Sequence, residues 1–125
     1  MACAMKNRIG NRNRPREEHR QLDTAQLQAV AELFAVLSEG SRLRILQLLQ
    51  RGPLTVGALV EQSGLKQANM SKQLGILLSA GIIGRRQDGN RAIYSIELPL
   101  VFELCELVCR SVAKQAAARA AILGA

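Results

Sequence analysis

The chain of 125 residues has no Trp, one Tyr, two Phe and a single His. So few aromatics leave the core to Leu, Ile, Val and Ala, which suits helices better than a sandwich and makes an all-β fold a poor expectation. With His19 alone in a charged N-terminal stretch, no nucleophile, base and orienting group can be assembled, and no Gly loop of the phosphate-cradling kind is present; an enzyme is not expected. No apolar run approaches the roughly 20 residues of a membrane span, and the Arg-rich start lacks the apolar core of a secretory signal, so the expected location is the cytoplasm. Three cysteines, Cys3, Cys105 and Cys109, form no disulfide framework, and any role for them is as thiols.

What is present is positive charge. The net charge is +7, and residues 1–20 hold Lys6, Arg8, Arg12, Arg14, Arg16 and Arg20 against Glu17 and Glu18. A basic excess favours polyanion partners, nucleic acid first, although a solvated tail accounts for the same residues. Residues 1–20 read as a flexible basic arm, and residues 21–125 as one domain.

Order begins at "DTAQ", Asp23 to Gln26, which fits a capping box and opens a first helix over 24–37 carrying Leu27, Val30, Ala31, Phe34 and Leu37 at helical spacing. A second helix follows, capped by Ser38 or Ser41, with Leu43, Leu46 and Leu49 inward and Gly52-Pro53 as its stop. A short third helix starts at Thr55, buries Val56, Leu59 and Val60, and ends at Ser63-Gly64; a fourth runs over 67–80. Past Gly81 the alternation of Arg91, Ile93, Tyr94 and Ile96 around Asp88-Gly89-Asn90 marks a β-hairpin. From Leu100 a long helix carries Val101, Leu104, Cys105, Val108 and Val112 on one face. The fold class is mainly α (α+β).

The fourth helix is two-sided. Met70, Leu77, Leu78 and Gly81 cluster around Leu74, while Asn69, Lys72, Ile76 and Ser79 lie opposite, at about 100° per residue. Gln67, Asn69, Ser71, Lys72 and Gln73 sit near its start, where a helix entering a major groove presents side chains to base edges. A short helix, a Gly-containing turn and a second amphipathic helix form a helix-turn-helix, and a basic hairpin directly after it makes the winged version. Arg85, Arg86 and Arg91 on that hairpin suit phosphates or a minor groove. Gly75 inside the helix costs up to about 1 kcal/mol relative to Ala.

The segments "SRLRIL", "QANMSKQLGILLSAGII" and "DGNRAIYSI" resemble the ArsR/SmtB family of winged helix-turn-helix repressors, over about residues 27–112. The resemblance implies a homodimer joined through the first and last helices, binding a palindromic double-stranded DNA operator and leaving it when an inducer arrives. By position it implies Gln67, Ala68, Ser71 and Lys72 as the base-reading set, with Ala68 where the family often has a hydroxyl and Lys66 where it often has a capping Ser. At family ligand positions the chain has Thr55 and Gly57 in place of an arsenic-type Cys-x-Cys pair, and Gln47 in place of the second helix's persulfide-sensing cysteine. A His-rich zinc site is excluded by His19 standing alone.

Cys105 and Cys109, four apart on one helix, are neighbours on one face. They read as ligands for a thiophilic metalloid such as arsenite, with Cys3 as a third thiolate; as an oxidant or reactive-sulfur switch; or as small hydrophobes filling a dimer seam. Two functions compete: an operator-binding repressor, and a winged-helix architectural or protein-interaction module without inducer sensing. The polar front of the fourth helix favours the first, since an architectural binder needs only cations.

Overall fold

The structure, a computed structural model, describes residues 21–124. The expected arm therefore lies outside the described residues. The described chain divides into two units whose boundary falls after Ala31, within the first helix.

That helix, α1, spans Thr24–Leu37. Its start is the expected capping box: the Gln26 N–H donates to Asp23 Oδ1 at 2.8 Å, and the Asp23 N–H donates to Gln26 Oε1 at 3.0 Å. Two orphan donors of the first turn are satisfied reciprocally.

The second unit carries the rest of the architecture. Helix α2 spans Gly40–Leu49, and its cap is neither serine expected from the sequence. Glu39 accepts from the Arg42 N–H at 3.1 Å, while the Ser38 hydroxyl turns back to donate to the Ala35 carbonyl. The bond from the Ser41 N–H, chiefly, holds the Glu39 carboxyl below the usual range. The inward set also differs from expectation: Ile45, Leu46 and Leu49 are buried, and Leu43 is 44% exposed. The inward stripe runs through half-buried Arg42 and buried Ile45, Leu46 and Leu49, and Leu43 lies about 110° from its midline at 100° per residue.

Thr55 caps helix α3, Val56–Ser63, by accepting from the Ala58 N–H at 3.2 Å. Gly64, at φ 76°, closes that helix in the left-handed region that Gly enters without steric cost. Leu65 and Lys66 complete the turn into helix α4, Gln67–Ser79, whose Met70, Leu74 and Leu77 join Leu59 and the α2 stripe in one core.

Three antiparallel strands follow the order β1-β3-β2, with β1 at Leu54–Thr55, β2 at Ile83–Asp88 and β3 at Arg91–Ile96. The expected hairpin is β2-β3, in register from Ile83 opposite Ile96 to Asp88 opposite Arg91. Its two-residue loop has Gly89 at φ 61°, and among the described residues no side-chain-bearing residue has positive φ, so Asn90 does not share that role. A glycine at the first loop position with an ordinary φ at the second is the φ pattern of a type II′ turn, whose twist matches the strands. Strand β1 pairs Leu54 with Tyr94 and Thr55 with Ile93, tying the start of α3 to the hairpin. Helix α5 spans Pro99–Gly124; Val101 is buried, Leu104 and Cys105 are half-buried, and every residue from Glu106 to Leu123 is exposed.

Candidate nucleic-acid interface

The α4 helix has one face locked and one face free. Met70, Leu74 and Leu77 are at most 2% exposed, which fixes the roll of the helix about its axis. With that roll set, Gln67, Ala68, Ser71 and Lys72 are left exposed and Asn69 half-buried. Lys66 occupies the N-cap with extended backbone and makes no side-chain capping bond; the first intrahelical bond runs from the Met70 N–H to the Lys66 carbonyl at 2.9 Å. The leading amides of α4 therefore keep free N–H groups beside Lys66 and Lys72, an arrangement suited to an anionic backbone.

Gln73 does not belong with the exposed set. It is 6% exposed, and both ends of its amide are engaged: Oε1 accepts from Arg42 Nη1 at 2.9 Å, and Nε2 donates to Asn69 Oδ1 at 2.9 Å. Residue 73 falls one step after Lys72, on the edge of the apolar face beside Leu74, and α2 covers that edge. The expectation that Gln73 contacts DNA is corrected to an internal role. Arg42 is the residue that sequence reasoning missed. A stripe read through 42, 45, 46 and 49 instead of 43, 46 and 49 would have found it, since a charged side chain on an apolar stripe needs a partner inside the fold. The Arg42 Nε also donates to the Val36 carbonyl, so one guanidinium joins the end of α1, α2 and α4.

The hairpin supplies the second surface. Arg85, Arg86 and Arg91 are all exposed, and among the described residues the sole ion pair is between Arg110 and Glu106 on α5. The three guanidiniums of the hairpin are thus uncommitted to acidic neighbours among the described residues. The sequence matches a helix-turn-helix domain model over residues 37–86. It is 40% identical over 94 residues to the HTH-type transcriptional regulator Rv0081 of Mycobacterium tuberculosis, covering 74% of this chain and 82% of that protein. The crystal structure of Rv0081 superposes with a TM-score of 0.66 at 38% identity, over 76% of this chain and 97% of that one.

The chain belongs to the ArsR/SmtB family. A homodimeric winged helix-turn-helix DNA-binding domain from Mycobacterium bovis, described as a possible ArsR-family transcriptional regulator, superposes equally well, with a TM-score of 0.66 at 34% identity over 78% of this chain and 92% of that one. A "probable mercury resistance operon repressor" of Streptomyces lividans is 35% identical over 88 residues, 70% of each chain. This ArsR/SmtB member is therefore a winged helix-turn-helix transcriptional regulator and not an enzyme. Its α3-turn-α4 segment is the helix-turn-helix, and β2-β3 is the wing.

Of the thiols, Cys105 is half-buried and Cys109 exposed, both lining an open apolar pocket with Phe34, Leu43, Leu104 and Val108. Burial, and then the neighbouring Cys109, push the Cys105 thiol up from its ordinary value, partly offset by a hydrogen bond from Gln50. Cys3 and His19 lie outside the described residues, and among the described residues no three His, Cys, Asp or Glu side chains gather as a metal site. No helix among the described residues is long and apolar enough to cross a membrane.

Proposed function

We propose that the protein is a homodimeric repressor that reads a palindromic double-stranded DNA operator in the cytoplasm. Gln67, Ala68, Asn69, Ser71 and Lys72 face the major groove, Arg85, Arg86 and Arg91 grip the backbone, and an inducer acting at Cys105 and Cys109 releases the complex. The observation that carries this reading is the pinned roll of α4, which buries Met70, Leu74 and Leu77, turns Ala68 and Lys72 to the opposite side and leaves Gln67 and Ser71 exposed in the first turns. A preorganised set can specify bases, whereas freely rolling cations supply only affinity.

Dimerisation is supported by apolar side chains left uncovered on one chain: Phe34 at 56%, Leu43 at 44%, Phe102 at 40%, Val108 at 52% and Val112 at 57% exposure. Of these, Phe34, Leu43 and Val108 line one open pocket, and uncovered apolar side chains on a small domain are a cost that a second copy removes. The thiols line the same pocket, so a ligand or oxidation product on them would change how the copies pack and hence how the two α4 helices are spaced. Similarity to a mercury resistance repressor favours a soft thiophilic ion or metalloid over an oxidant, with Cys105 and Cys109 as two thiolates and Cys3 as the third. Binding such an ion must displace the proton that Cys105 holds tightly.

Measured by fluorescence anisotropy on the operator, Gln67→Ala and Lys72→Ala should each weaken specific binding by about 1 to 3 kcal/mol. Unchanged affinity in both variants removes the recognition-helix assignment. The double variant Cys105→Ser, Cys109→Ser should stay on the operator when mercury(II), arsenite or polysulfide releases the unmodified protein. Normal release of the double variant assigns both thiols to packing.

A further inference from the structure

We propose that Arg44 couples the thiol pocket to DNA binding: it is the positioning residue through which an occupant of that pocket acts on the turn of the helix-turn-helix. The inference rests on Cys105 and Cys109 being the inducer site, and it names a route from that site to α4 within one chain.

Arg44, Gln47 and Gln50 recur at every third position of α2 and its C-cap, where successive side chains are neighbours, and all three line the pocket that holds Cys105 and Cys109. At one end of this row Gln50 hydrogen-bonds to Cys105. At the other, Arg44 Nη1 donates to Gln47 Oε1 at 2.9 Å, and Arg44 Nη2 donates to the Gln62 backbone carbonyl at 3.3 Å. Arg44 is the one charged side chain lining the pocket, and the one lining side chain that hydrogen-bonds to the helix-turn-helix among the described residues.

Gln62 lies in the last turn of α3, where carbonyls lack intrahelical partners and the helix dipole ends negative. The helix has no basic residue of its own in that turn and carries Glu61 there, so Arg44 supplies from α2 the positive charge that α3 lacks. The path onward is short and constrained. Ser63 Oγ accepts from the Leu65 N–H at 3.1 Å, Gly64 turns the chain in the left-handed region, and Gln67 opens α4. A shift of the α3 end is therefore passed to the first turn of α4. Arg42 makes the contrast: it bonds to Gln73 of α4 but does not line the pocket, so it braces α4 whatever the pocket contains.

A ligand shifts an equilibrium only through contacts that differ between the two states. Arg44 and Gln47 are exposed, so their partners exchange readily. An occupant at the thiols that engages the Gln47 amide or the Arg44 guanidinium does so at the expense of the Gln62 bond, and α4 loses a brace.

The test uses the full-length protein and Arg44→Met, which keeps the side-chain stem and helix propensity and removes every donor. Operator affinity is measured with and without mercury(II), and free-thiol counts establish that both proteins take up the ion equally. Mercury(II) should weaken operator binding of the unmodified protein by about 5- to 150-fold, and that of Arg44→Met by less than about 2-fold. Arg42→Met should bind the operator more weakly yet keep the full response. Hydrogen exchange without DNA gives a second readout: mercury(II) should speed exchange over residues 61–67 of the unmodified protein, and Arg44→Met should show that faster exchange with no ion added. If Arg44→Met responds by the same factor as the unmodified protein, Arg44 only supports the fold and the proposal is overturned. Unchanged exchange over 61–67 when the unmodified protein takes up mercury(II) overturns it as well, whether or not the variant binds DNA. If mercury(II), arsenite and polysulfide all leave the unmodified protein on its operator, the thiol-sensing reading falls first and this inference falls with it.

Discussion

Gly75 lies in the middle of α4, exposed, with an ordinary helical φ and with open space where a Cβ would stand. Neither backbone conformation nor packing within the chain requires glycine there. Gly75→Ala should therefore raise the stability of the free protein by up to about 1 kcal/mol, read as an upward shift of the denaturation midpoint. A loss of stability would show that the helix depends on flexibility at that point. Other residues divide by whether their role can be read from identity alone. Asp23 with Gln26, and Thr55 with Gly64, announce themselves, because caps and left-handed glycines act within one turn of sequence. Leu43 as an outward residue and Gln73 as an internal one do not, since each is decided by how far a helical stripe rotates before a neighbouring helix covers it, while the Glu39 cap stands beside two serines of the residue type that more often caps a helix. Arg42 lies between these cases: its position on an apolar stripe signalled a buried partner, and the structure supplied the name.

Among the elements, five helices and the hairpin were legible because each repeats its period for several turns or alternations. Strand β1 was not, since two residues carry no alternation to detect and its existence depends on β3 lying alongside. The long helix was expected to carry Val101, Leu104, Cys105, Val108 and Val112 on one face; its first two turns pack on the core, and the residues from Glu106 to Leu123 stand exposed on the single chain. A helical period shows that a face exists without showing what covers it. The wing is the element whose contribution is most separable from base reading. Replacing Arg85, Arg86 and Arg91 with Ala should flatten the dependence of log affinity on log salt by roughly 0.9 for each phosphate no longer neutralised, while leaving the ranking of operator sequences intact. An unchanged slope would place the wing away from the DNA.

For the whole molecule, the features that single out a DNA reader act together. The α4 roll is set by the core and by Arg42, the hairpin that follows in sequence carries three arginines with no ion-pair partner among the described residues, and the uncovered apolar residues call for a second copy. On the proposed reading, two copies related by a two-fold axis would present two α4 helices to one face of the duplex, with half-sites one helical turn, about 34 to 36 Å, or a multiple of it apart. The most direct measurement is a hydroxyl-radical footprint of the full-length protein on its selected operator, with parallel sedimentation to count chains. The account predicts two chains per operator and two equivalent protected patches centred about 10 to 10.5 base pairs apart, both absent in the double variant Gln67→Ala, Lys72→Ala. A single patch bound by one chain, or protection spread evenly along any DNA, would contradict it.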